Sequence, residues 1–240
     1  MIYQNNNIKN KKITILGAGI SGFGATKLAN YKKAKVFLSN NKKFNNPFNN
    51  KIEKEFSHSE KCKDSDLVIL SPGIDPQKNK IIKILSNLNI PIISEIEFAS
   101  WFTNSPIIAI TGSNGKSTVV KMLHEILQKK YTNVLLGGNI GISFSSNVVD
   151  ELKNELVNSI HLLEVSSFQL ENIKTFKPFI SCILNVTKDH LDRHGDFNNY
   201  LNQKLKITKN HDSNSFVVYN EDDNNLKSVF KLLKILIILF

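Results

Sequence analysis

Short apolar segments alternate with longer amphipathic segments along most of the chain. The first series of apolar segments comprises Ile13–Leu16, Val36–Leu38, Leu67–Leu70 and Ile90–Ile93, with a helix predicted from Gly22 to Tyr31. The second series comprises Ile107–Ile110, Val134–Leu136, Ile160–Glu164, Ile180–Val186 and Phe216–Tyr219. Strands that are apolar on both faces are typical of parallel sheets covered by helices. The pattern therefore predicts an α/β protein with two such sheets.

A polar break separates the two series. The segment Thr103–Pro106 interrupts the apolar pattern, and clusters of this composition mark loops. We therefore predict an N-terminal domain over residues 1–104 and a central domain over residues 105–240. The Asn- and Lys-rich segment Ser39–Asn50 is expected to be a loop. The apolar end Ile235–Phe240 is expected to be a buried strand that is cut off within the central domain.

The chain has 240 residues and a formal net charge of +10, which could attract nucleic acid or a membrane surface. Arg193 is its only arginine, and all other basic residues except histidine are lysines. Because proteins that read nucleic acid use arginine for bidentate contacts, we interpret the lysines as a solvated surface. We expect no nucleic-acid partner.

Cysteine usage and the two chain ends bear on the compartment. Cys62 and Cys182 lack the spacing of a metal site or a disulfide framework, which favours a reducing compartment. Residues 1–12 contain no apolar signal segment, and residues 235–240 fall far short of the roughly 20 residues that span a bilayer. We therefore expect a cytoplasmic protein with no membrane segment.

A glycine-rich turn, Gly17–Gly22, follows the first apolar segment and opens the predicted helix. Its GxGxxG spacing permits a tight turn, backbone approach to a phosphate and close packing of helix on strand, and the helix N-terminus favours a diphosphate. A dinucleotide site would also carry an acid after the second strand, where this chain has Phe37–Asn41. NAD is therefore disfavoured. Another diphosphate, such as a nucleotide-sugar, and a turn that only packs both stay open.

A second glycine loop, Thr111–Thr118, lies between Ile107–Ile110 and an amphipathic stretch that runs to about Lys130. Strand, glycine loop, Gly-Lys-Ser and helix is the order of a P-loop. Lys116 is expected to reach the β- and γ-phosphates, and Ser117 is expected to hold Mg²⁺. The loop is a variant, since Ile110 stands where the full pattern has its first glycine.

Polar residues follow three strands of the second series, at the sheet edge where ligands bind in open parallel sheets. Gly137–Gly141 contains Asn139, and Glu164 closes the third strand as a possible Mg²⁺ ligand or a simple turn cap. His190 lies in the polar loop after the fourth strand. We interpret it as a candidate site residue, with a plain surface histidine as the alternative.

Seven motifs stand in the order found in Mur ligases, which the chain resembles from about Ile13 to Asn220. They are GAGISG, SPGI, TGSNGKST, GGNIG, EVSSFQLE, NVTKDHLDRH and YLNQKLKI. The forms SSFQLE and NVTKDHLDRH resemble the branch of the family that adds D-glutamate. The resemblance implies a Rossmann-like first domain, a P-loop-type central domain, and ATP and Mg²⁺ as cofactors. It also implies a monomer that works in peptidoglycan synthesis, and hence in cell shape and division.

The implied reaction begins when ATP phosphorylates the carboxylate of UDP-N-acetylmuramoyl-L-alanine. The amine of D-glutamate then attacks the acyl phosphate, and ADP and phosphate leave. A carboxylate is a poor electrophile, so a phosphate must first be installed as the leaving group. Charge then builds on the phosphoryl oxygens, where Lys116 and Mg²⁺ can neutralise it.

The resemblance also assigns roles to matched residues. Catalytic roles are implied for Lys116, His190 and Lys204. ATP contacts are implied for Gly112, Ser113, Asn114, Gly115, Lys116, Ser117 and Thr118. Contacts to the UDP-linked substrate are implied for Gly19, Ile20, Ser21, Ser71, Gly73, Asn139, Ser166 and Gln169. Metal binding is implied for Ser117, Glu164, His190 and a carbamylated Lys204, with Tyr200 one helical turn before that lysine.

Two departures from the family pattern shape the expectation. Leu38–Asn41 lacks the acid often found near the uridine, and the family's third domain, which holds the amino acid, has no counterpart before Phe240. We therefore expect that this chain alone does not complete ligation. The alternatives are another Mur-type ligase, a folylpolyglutamate synthetase, a nicotinamide-dependent oxidoreductase and a non-catalytic nucleotide-binding fragment.

Overall fold

The computed structural model describes residues 7–45, 47–48, 52–230 and 236–239. The chain divides into two compact units, the first formed by Met1–Thr103 with Ser143–Asp150, and the second by Asn104–Ile142 with Glu151–Phe240. Both units are α/β, and each has a parallel sheet. Residues 143–150 group with the first unit, whereas the polar break at Thr103–Pro106 predicted that all of residues 105–240 form the second domain.

The first unit has a five-stranded parallel sheet in the order β3-β2-β1-β4-β5. Its elements are β1 (Lys12–Leu16), α1 (Ile20–Tyr31), β2 (Lys35–Ser39), β3 (Glu53–Glu55), a 3₁₀ turn (Glu60–Lys63), β4 (Leu67–Leu70), α2 (Lys80–Asn87), β5 (Ile92–Ser94) and α3 (Glu95–Ser100). The predicted strands are confirmed, although β5 begins at Ile92 and not at Ile90. Strand β3 was not predicted, because its sequence, Glu-Lys-Glu, carries no apolar signal.

The core of the first unit forms because apolar residues recur at helical spacing on α2. Ile81, Ile82 and Leu85 are at most 5% exposed and pack in one cluster with Leu16 and Val68 of the sheet. Burial of such a side chain stabilises a fold by about 1.5–3 kcal/mol. Asn79 caps the N-terminus of α2, because its side chain accepts a hydrogen bond from the Ile81 backbone N–H.

The second unit has a six-stranded parallel sheet in the order β11-β10-β9-β6-β8-β7. Its elements are β6 (Ile107–Thr111), α4 (Lys116–Gln128), β7 (Val134–Gly138), α5 (Phe144–Lys153, shared with the first unit), β8 (Ile160–Glu164), α6 (Ser167–Leu170), β9 (Ile180–Ile183), α7 (Leu191–His194), α8 (Phe197–Leu205), a 3₁₀ turn (Lys206–Thr208), β10 (Phe216–Tyr219), α9 (Asn224–Phe230) and β11 (Leu236–Leu239).

Three predictions for polar or terminal segments change in detail. Strand β9 ends at Ile183, three residues before the predicted Val186. The loop predicted from Ser39 to Asn50 starts at Asn40 in the structure, because Ser39 is the last residue of β2. Residues 236–239 form a strand paired with β10, whereas residues 46, 49–51, 235 and 240 lie outside the described residues. Within the described ranges, no helix combines the length and apolarity that crossing a bilayer requires.

The topology of the second sheet determines where its site lies. Strand β6 is flanked by β8 on one side and by β9 on the other. The chain reverses its direction of strand addition at β6, and ligands of open parallel sheets bind beyond the carboxyl ends of the strands at such a point. The loops that follow β6, β8 and β9 therefore meet in one region.

Candidate functional site

The P-loop connects the end of β6 to the first residue of α4, Lys116. The Lys116 ammonium donates to the carbonyls of Gly112 at 2.7 Å and Ser113 at 3.0 Å, so its charge lies over the loop. Asn185, just after β9, braces the loop: its Oδ1 accepts from the Asn114 N–H at 2.9 Å, and its Nδ2 donates to the Asn114 carbonyl at 3.1 Å. The loop is therefore held in place by the neighbouring strand.

A second lysine reaches the same loop from α8. Lys204 is 2% exposed, and its Nζ donates to the Gly112 carbonyl at 2.8 Å. Burial, together with the positive charge of Lys116, lowers the pKa of Lys204 to about 7, although Asp189 opposes the shift. A large fraction of this amine is therefore neutral and nucleophilic near pH 7. Its Nζ also lies 4.6 Å from the centroid of the Tyr200 ring.

Tyr200 connects α8 to the P-loop through its hydroxyl. Its hydroxyl is 3.1 Å from Ser113 Oγ, and this Oγ also accepts from the Thr187 N–H at 3.0 Å. Tyr200 is 1% exposed, and burial raises its pKa. The predicted common face of Tyr200 and Lys204 is confirmed by the contact between the ring and the amine.

A buried carboxylate, Glu164, stands at the end of β8. It is 2% exposed, and it accepts hydrogen bonds from Ser117 Oγ at 2.6 Å and from Asn139 Nδ2 at 2.8 Å. Asn139 is placed by Gly138, whose φ is +99° and whose missing Cβ would lie 2.2 Å from the Glu164 carbonyl oxygen. The Ser117 hydroxyl, the Glu164 carboxylate and the Asn139 amide therefore form one cluster.

Ser166 and Gln169 build the start of α6. Ser166 Oγ accepts from the Gln169 N–H, and Gln169 Oε1 accepts from the Ser166 N–H at 3.0 Å, which is a capping box. Gln169 is 1% exposed, and its Nε2 has no hydrogen-bond partner among the described residues. The two residues predicted to contact substrate therefore also hold the local fold.

His190 is the N-cap residue of α7 and has a left-handed backbone, with φ +52°. Its side chain is 48% exposed, and its ring centroid lies 4.9 Å from that of Phe168 and 6.3 Å from that of Tyr200. The backbone N–H of His190 donates to Asp189 Oδ1 at 2.9 Å. His190 and Lys204 thus both contact the Tyr200 ring, whereas Ser117 and Glu164 contact each other.

Four residues that fix this region were given no role from the sequence: Phe168, Glu171, Arg193 and His194. Arg193 donates to both carboxylate oxygens of Glu171, at 3.1 and 2.7 Å, and its guanidinium carbon lies 4.2 Å from the Phe168 ring centroid. The His194 ring stacks on Phe168 at 5.3 Å. A bidentate pair with little solvent exposure is a strong contact. The presence of one arginine in a lysine-rich chain was the signal that could have revealed it.

In the first unit, the GxGxxG turn is fixed by close contacts. Gly17 has φ +101°, and a Cβ there would lie 2.7 Å from the Ser71 side chain, whose Oγ donates to the Gly17 carbonyl at 3.2 Å. The Ala18 N–H donates to Asn40 Oδ1 at 3.2 Å. Asn40 therefore braces the turn at the place where a dinucleotide site would carry an acid.

The remaining predicted residues of the first unit are more open. Gly19 precedes α1, Ile20 is 63% exposed, and a Cβ at Gly19 or Gly73 would meet no heavy atom within 4 Å. Ser21 is partly buried in the first turn of α1. These residues leave an accessible surface beside the turn.

Two family models cover most of the chain. The Mur ligase middle domain matches residues 110–238, more than half of the chain. The chain belongs to the Mur ligase family. The MurD N-terminal domain matches residues 12–80, so the first unit also carries the signature of a Mur ligase.

Curated Mur ligases match with substantial identity. The chain is 41% identical over 224 residues to UDP-N-acetylmuramoylalanine–D-glutamate ligase of Christiangramia forsetii, a match that covers 90% of this chain and 49% of the relative. It is 42% identical over 230 residues to the enzyme of the same name from Thermosipho africanus, covering 88% of this chain and 51% of the relative. The chain thus spans about half the length of these relatives.

Solved structures of Mur ligases share the fold. A Neisseria meningitides UDP-N-acetylmuramate:L-alanyl-γ-D-glutamyl-meso-diaminopimelate ligase has a TM-score of 0.62 at 18% identity, over 96% of this chain and 78% of that one. The MurF ligase of Thermotoga maritima, solved in complex with ADP, has a TM-score of 0.51 at 17% identity, over 100% of this chain and 49% of that one. At these identities the likeness supports the fold alone.

The predicted metal ligands of this Mur ligase are held by two sets of contacts. Ser117 and Glu164 supply adjacent oxygens, which suit a hard cation. His190 and Lys204 lie around Tyr200. Among the residues that the structure describes, no three His, Cys, Asp or Glu side chains are grouped as a metal site. The predicted set therefore combines the Glu164 carboxylate with the Ser117 hydroxyl, the His190 imidazole and a modified Lys204.

Proposed function

We propose that this protein is the ligase that adds D-glutamate to UDP-N-acetylmuramoyl-L-alanine in the cytoplasmic stage of peptidoglycan synthesis, using ATP. The proposal rests on the hydrogen bonds that the Lys116 and Lys204 amines both donate to the Gly112 carbonyl. The Ser117 hydroxyl, at the end of the same loop, donates to Glu164. Cationic groups and an oxygen cluster next to a P-loop suit the transfer of a phosphoryl group to a carboxylate. The named relatives support D-glutamate as the amino acid.

The P-loop residues Gly112–Thr118 would hold the triphosphate of ATP, and Lys116 would neutralise the charge that develops on the transferred phosphoryl group. The substrate carboxylate would attack this group, which makes an acyl phosphate and releases ADP. The amine of D-glutamate would then attack the acyl carbon, and phosphate would leave with the former carboxylate oxygen. Asn139, Ser166 and Gln169 would contact the muramoyl end of the substrate.

Mg²⁺, when bound, would supply charge neutralisation at the phosphate oxygens. Ser117 and Glu164 fit it, because both present oxygen atoms, and His190 would add an imidazole nitrogen. Lys204 fits only after carbamylation: its neutral amine attacks CO₂, a C–N bond forms, a proton is lost, and the product is an anionic carbamate. The lowered pKa of Lys204, about 7, supports this step, because the neutral amine is the reactive form.

In the first unit, the UDP group would lie along the GxGxxG turn. Gly19, Ile20, Ser21, Ser71 and Gly73 would contact it, since they lie at or beside the accessible surface of the turn. Asn40 stands where an NAD site would carry an acid, and its side chain accepts a hydrogen bond from the Ala18 N–H. This argues against NAD. We further propose a monomer.

A binding panel on the full chain tests the proposal. By calorimetry, ATP with Mg²⁺ and UDP-N-acetylmuramoyl-L-alanine should both bind, each with a stoichiometry near one, whereas NAD and folate should not. Binding of NAD or folate in place of the UDP-linked substrate would sink the assignment. A turnover assay with D-glutamate then tests the further expectation that this chain alone gives no product, and clear product formation would overturn that expectation.

A carbon-13 experiment tests the role of Lys204 separately. With ¹³C-bicarbonate, the wild-type protein should show a carbamate resonance that is absent from Lys204→Met. Lys121→Met, on the exposed face of α4, is the matched control and should keep the resonance.

A further inference from the structure

A hydrogen-bonded relay, formed by His58, Ser39 and Glu55, lies at the carboxyl ends of β2 and β3. Ser39 Oγ donates to Glu55 Oε1 at 2.7 Å and lies 2.7 Å from His58 Nδ1. Glu55 also accepts from the Ser59 N–H at 2.8 Å and from the Ser59 hydroxyl. Burial favours a higher pKa for Glu55, but the hydrogen bonds from Ser59 and Ser39 outweigh it and lower this pKa. The carboxylate therefore stays ionised and acts only as an acceptor.

The relay fixes the tautomer of His58. A hydroxyl has one proton, and Ser39 gives its proton to Glu55, so Ser39 Oγ must accept from His58 Nδ1–H. Nε2 of a neutral imidazole then carries a lone pair. Burial lowers the pKa of His58, although the charge of Glu55 opposes the shift, and the ring is therefore neutral near pH 7. His58 is thus a hydrogen-bond acceptor of fixed direction.

The relay is contiguous with the glycine turn. The Ser39 carbonyl accepts from the Gly17 N–H at 2.8 Å, and Asn40 accepts from the Ala18 N–H through its side chain. In a sheet of this topology, the end of the second strand faces the nucleoside, and an acid there accepts a hydrogen bond from the ribose. This chain has Ser39 and Asn40 at that place, and the His58 ring is hydrogen-bonded to the Ser39 hydroxyl. His58 is partly buried and has a left-handed backbone, φ +46°.

We propose that His58 is a specificity-determining residue of the first unit, whose Nε2 accepts a hydrogen bond from the nucleoside of the UDP-linked substrate. The donor is a ribose hydroxyl or the imide N–H of the base. This inference rests on the proposed function, because it needs UDP at the turn. The imidazole acceptor would replace the missing acid without adding negative charge beside the diphosphate.

Two variants separate binding from structure. His58→Asn keeps an amide N–H near the place of Nδ1, and so keeps the bond to Ser39, but it loses the Nε2 acceptor. Asparagine also tolerates a left-handed backbone. His58→Gln does the reverse, since its amide oxygen reaches the place of Nε2 but its side chain leaves Ser39. A purely structural role predicts that His58→Gln is the more harmful variant, and the proposed role predicts the opposite for UDP affinity.

Calorimetry of the full chain with UDP, in saturating ATP and Mg²⁺ so that the P-loop is occupied, measures the effect. His58→Asn should weaken UDP binding about five- to tenfold, the size of one hydrogen bond, and His58→Gln should stay within about twofold. His124→Asn, in the second unit, is the matched control and should leave the UDP affinity unchanged. An unchanged UDP affinity in His58→Asn, or a larger loss of UDP affinity in His58→Gln than in His58→Asn, overturns this inference and leaves the proposed function in place.

Analogues identify the donor. In the wild type, either 2′-deoxy-UDP or N3-methyl-UDP should bind about five- to tenfold more weakly than UDP, and the same analogue should lose nothing further in His58→Asn. Nitrogen-15 spectra of the free protein should show His58 protonated at Nδ1, and protonation at Nε2 overturns the relay. A wild-type chain that binds no UDP overturns the proposed function of the first unit and this inference with it.

Discussion

The two glycine turns of this protein follow the same strand-to-helix pattern but are built from different forces. The first, at Gly17, is fixed by steric fit against Ser71 and by neutral groups. The second, the P-loop, has two lysine amines on one carbonyl, with Glu164 bonded to Ser117. Under the proposed function, the first turn would only bind its ligand, whereas the second would take part in a phosphoryl transfer. What differs is the charge placed around the turn.

The largest expected effect tests the steric half of this comparison. Gly17→Ala should lower the free energy of unfolding by about 3–4 kcal/mol, because the new Cβ meets the Ser71 side chain at 2.7 Å and φ is +101°. Gly73→Ala is the control, since its Cβ meets no heavy atom within 4 Å, and it should change stability by less than about 0.5 kcal/mol. Urea denaturation measures both. Equal losses would show that the first turn is not held by steric fit.

The next effect tests the charged half. Lys116→Met should weaken ATP binding roughly 100-fold, because a cation that hydrogen-bonds phosphate contributes about 1.5–3 kcal/mol. Its affinity for UDP should not change. The control is Lys121→Met, an exposed lysine on the same helix. If both substitutions weaken ATP binding alike, the effect belongs to net charge and not to the P-loop.

A third prediction concerns the buried amine of Lys204. Its pKa in the folded state, about 7, is below the ordinary value of 10.5, so the unfolded chain binds more protons between these two values. The free energy of unfolding should therefore rise with pH from about 7 to 10.5. Lys204→Met should remove about 2 kcal/mol of that rise between pH 7 and pH 9 in CO₂-free buffer.

The measurement is the slope of stability against pH, and not its value at one pH, because the loss of the hydrogen bond to Gly112 shifts all points together. Lys121→Met should keep the slope of the wild type. A wild-type slope that is unchanged by Lys204→Met would show that this amine is charged in the fold, and the carbamylation proposal would lose its chemical basis.

Patterns in the sequence predicted most of the strands because burial on both faces leaves a continuous apolar run. The same reasoning missed β3, whose Glu-Lys-Glu sequence pairs with β2 but carries no apolar signal. It also extended β9 to Val186, since an apolar run does not reveal that Asn185 leaves the sheet to brace the P-loop. Polar contacts between segments distant in sequence have no local signal.

The candidate site was predicted unevenly for the same reason. Spacing along one element was sufficient to place Tyr200 and Lys204 on one face of α8. The pairing of Arg193 with Glu171 and the packing of the Arg193 guanidinium on the Phe168 ring join residues 22 and 25 positions apart. Side chains brought together by the fold in this way cannot be found from periodicity. Composition can only indicate that an unusual residue, such as the single arginine, has a particular partner.

The smallest effect compares the asparagine that braces each turn. Asn185 forms two hydrogen bonds with the backbone of Asn114, whereas Asn40 accepts only one from its turn, from the Ala18 N–H. Asn185→Ala should therefore cost about 1–2 kcal/mol and Asn40→Ala about 0.5–1 kcal/mol. Only the first should also weaken ATP binding, by about threefold, because the loop that presents Lys116 loosens.

Asn185→Asp refines this comparison, because it keeps the acceptor for the Asn114 N–H but loses the donor to the carbonyl. It should recover about half of the stability that Asn185→Ala loses. It should not recover ATP affinity, since a new carboxylate beside the P-loop repels the triphosphate. If stability and ATP affinity changed in parallel across the two Asn185 variants, the view that the second turn depends on charge would be contradicted. If Asn185→Asp recovers stability but not ATP affinity, the effect of charge lies at the P-loop itself.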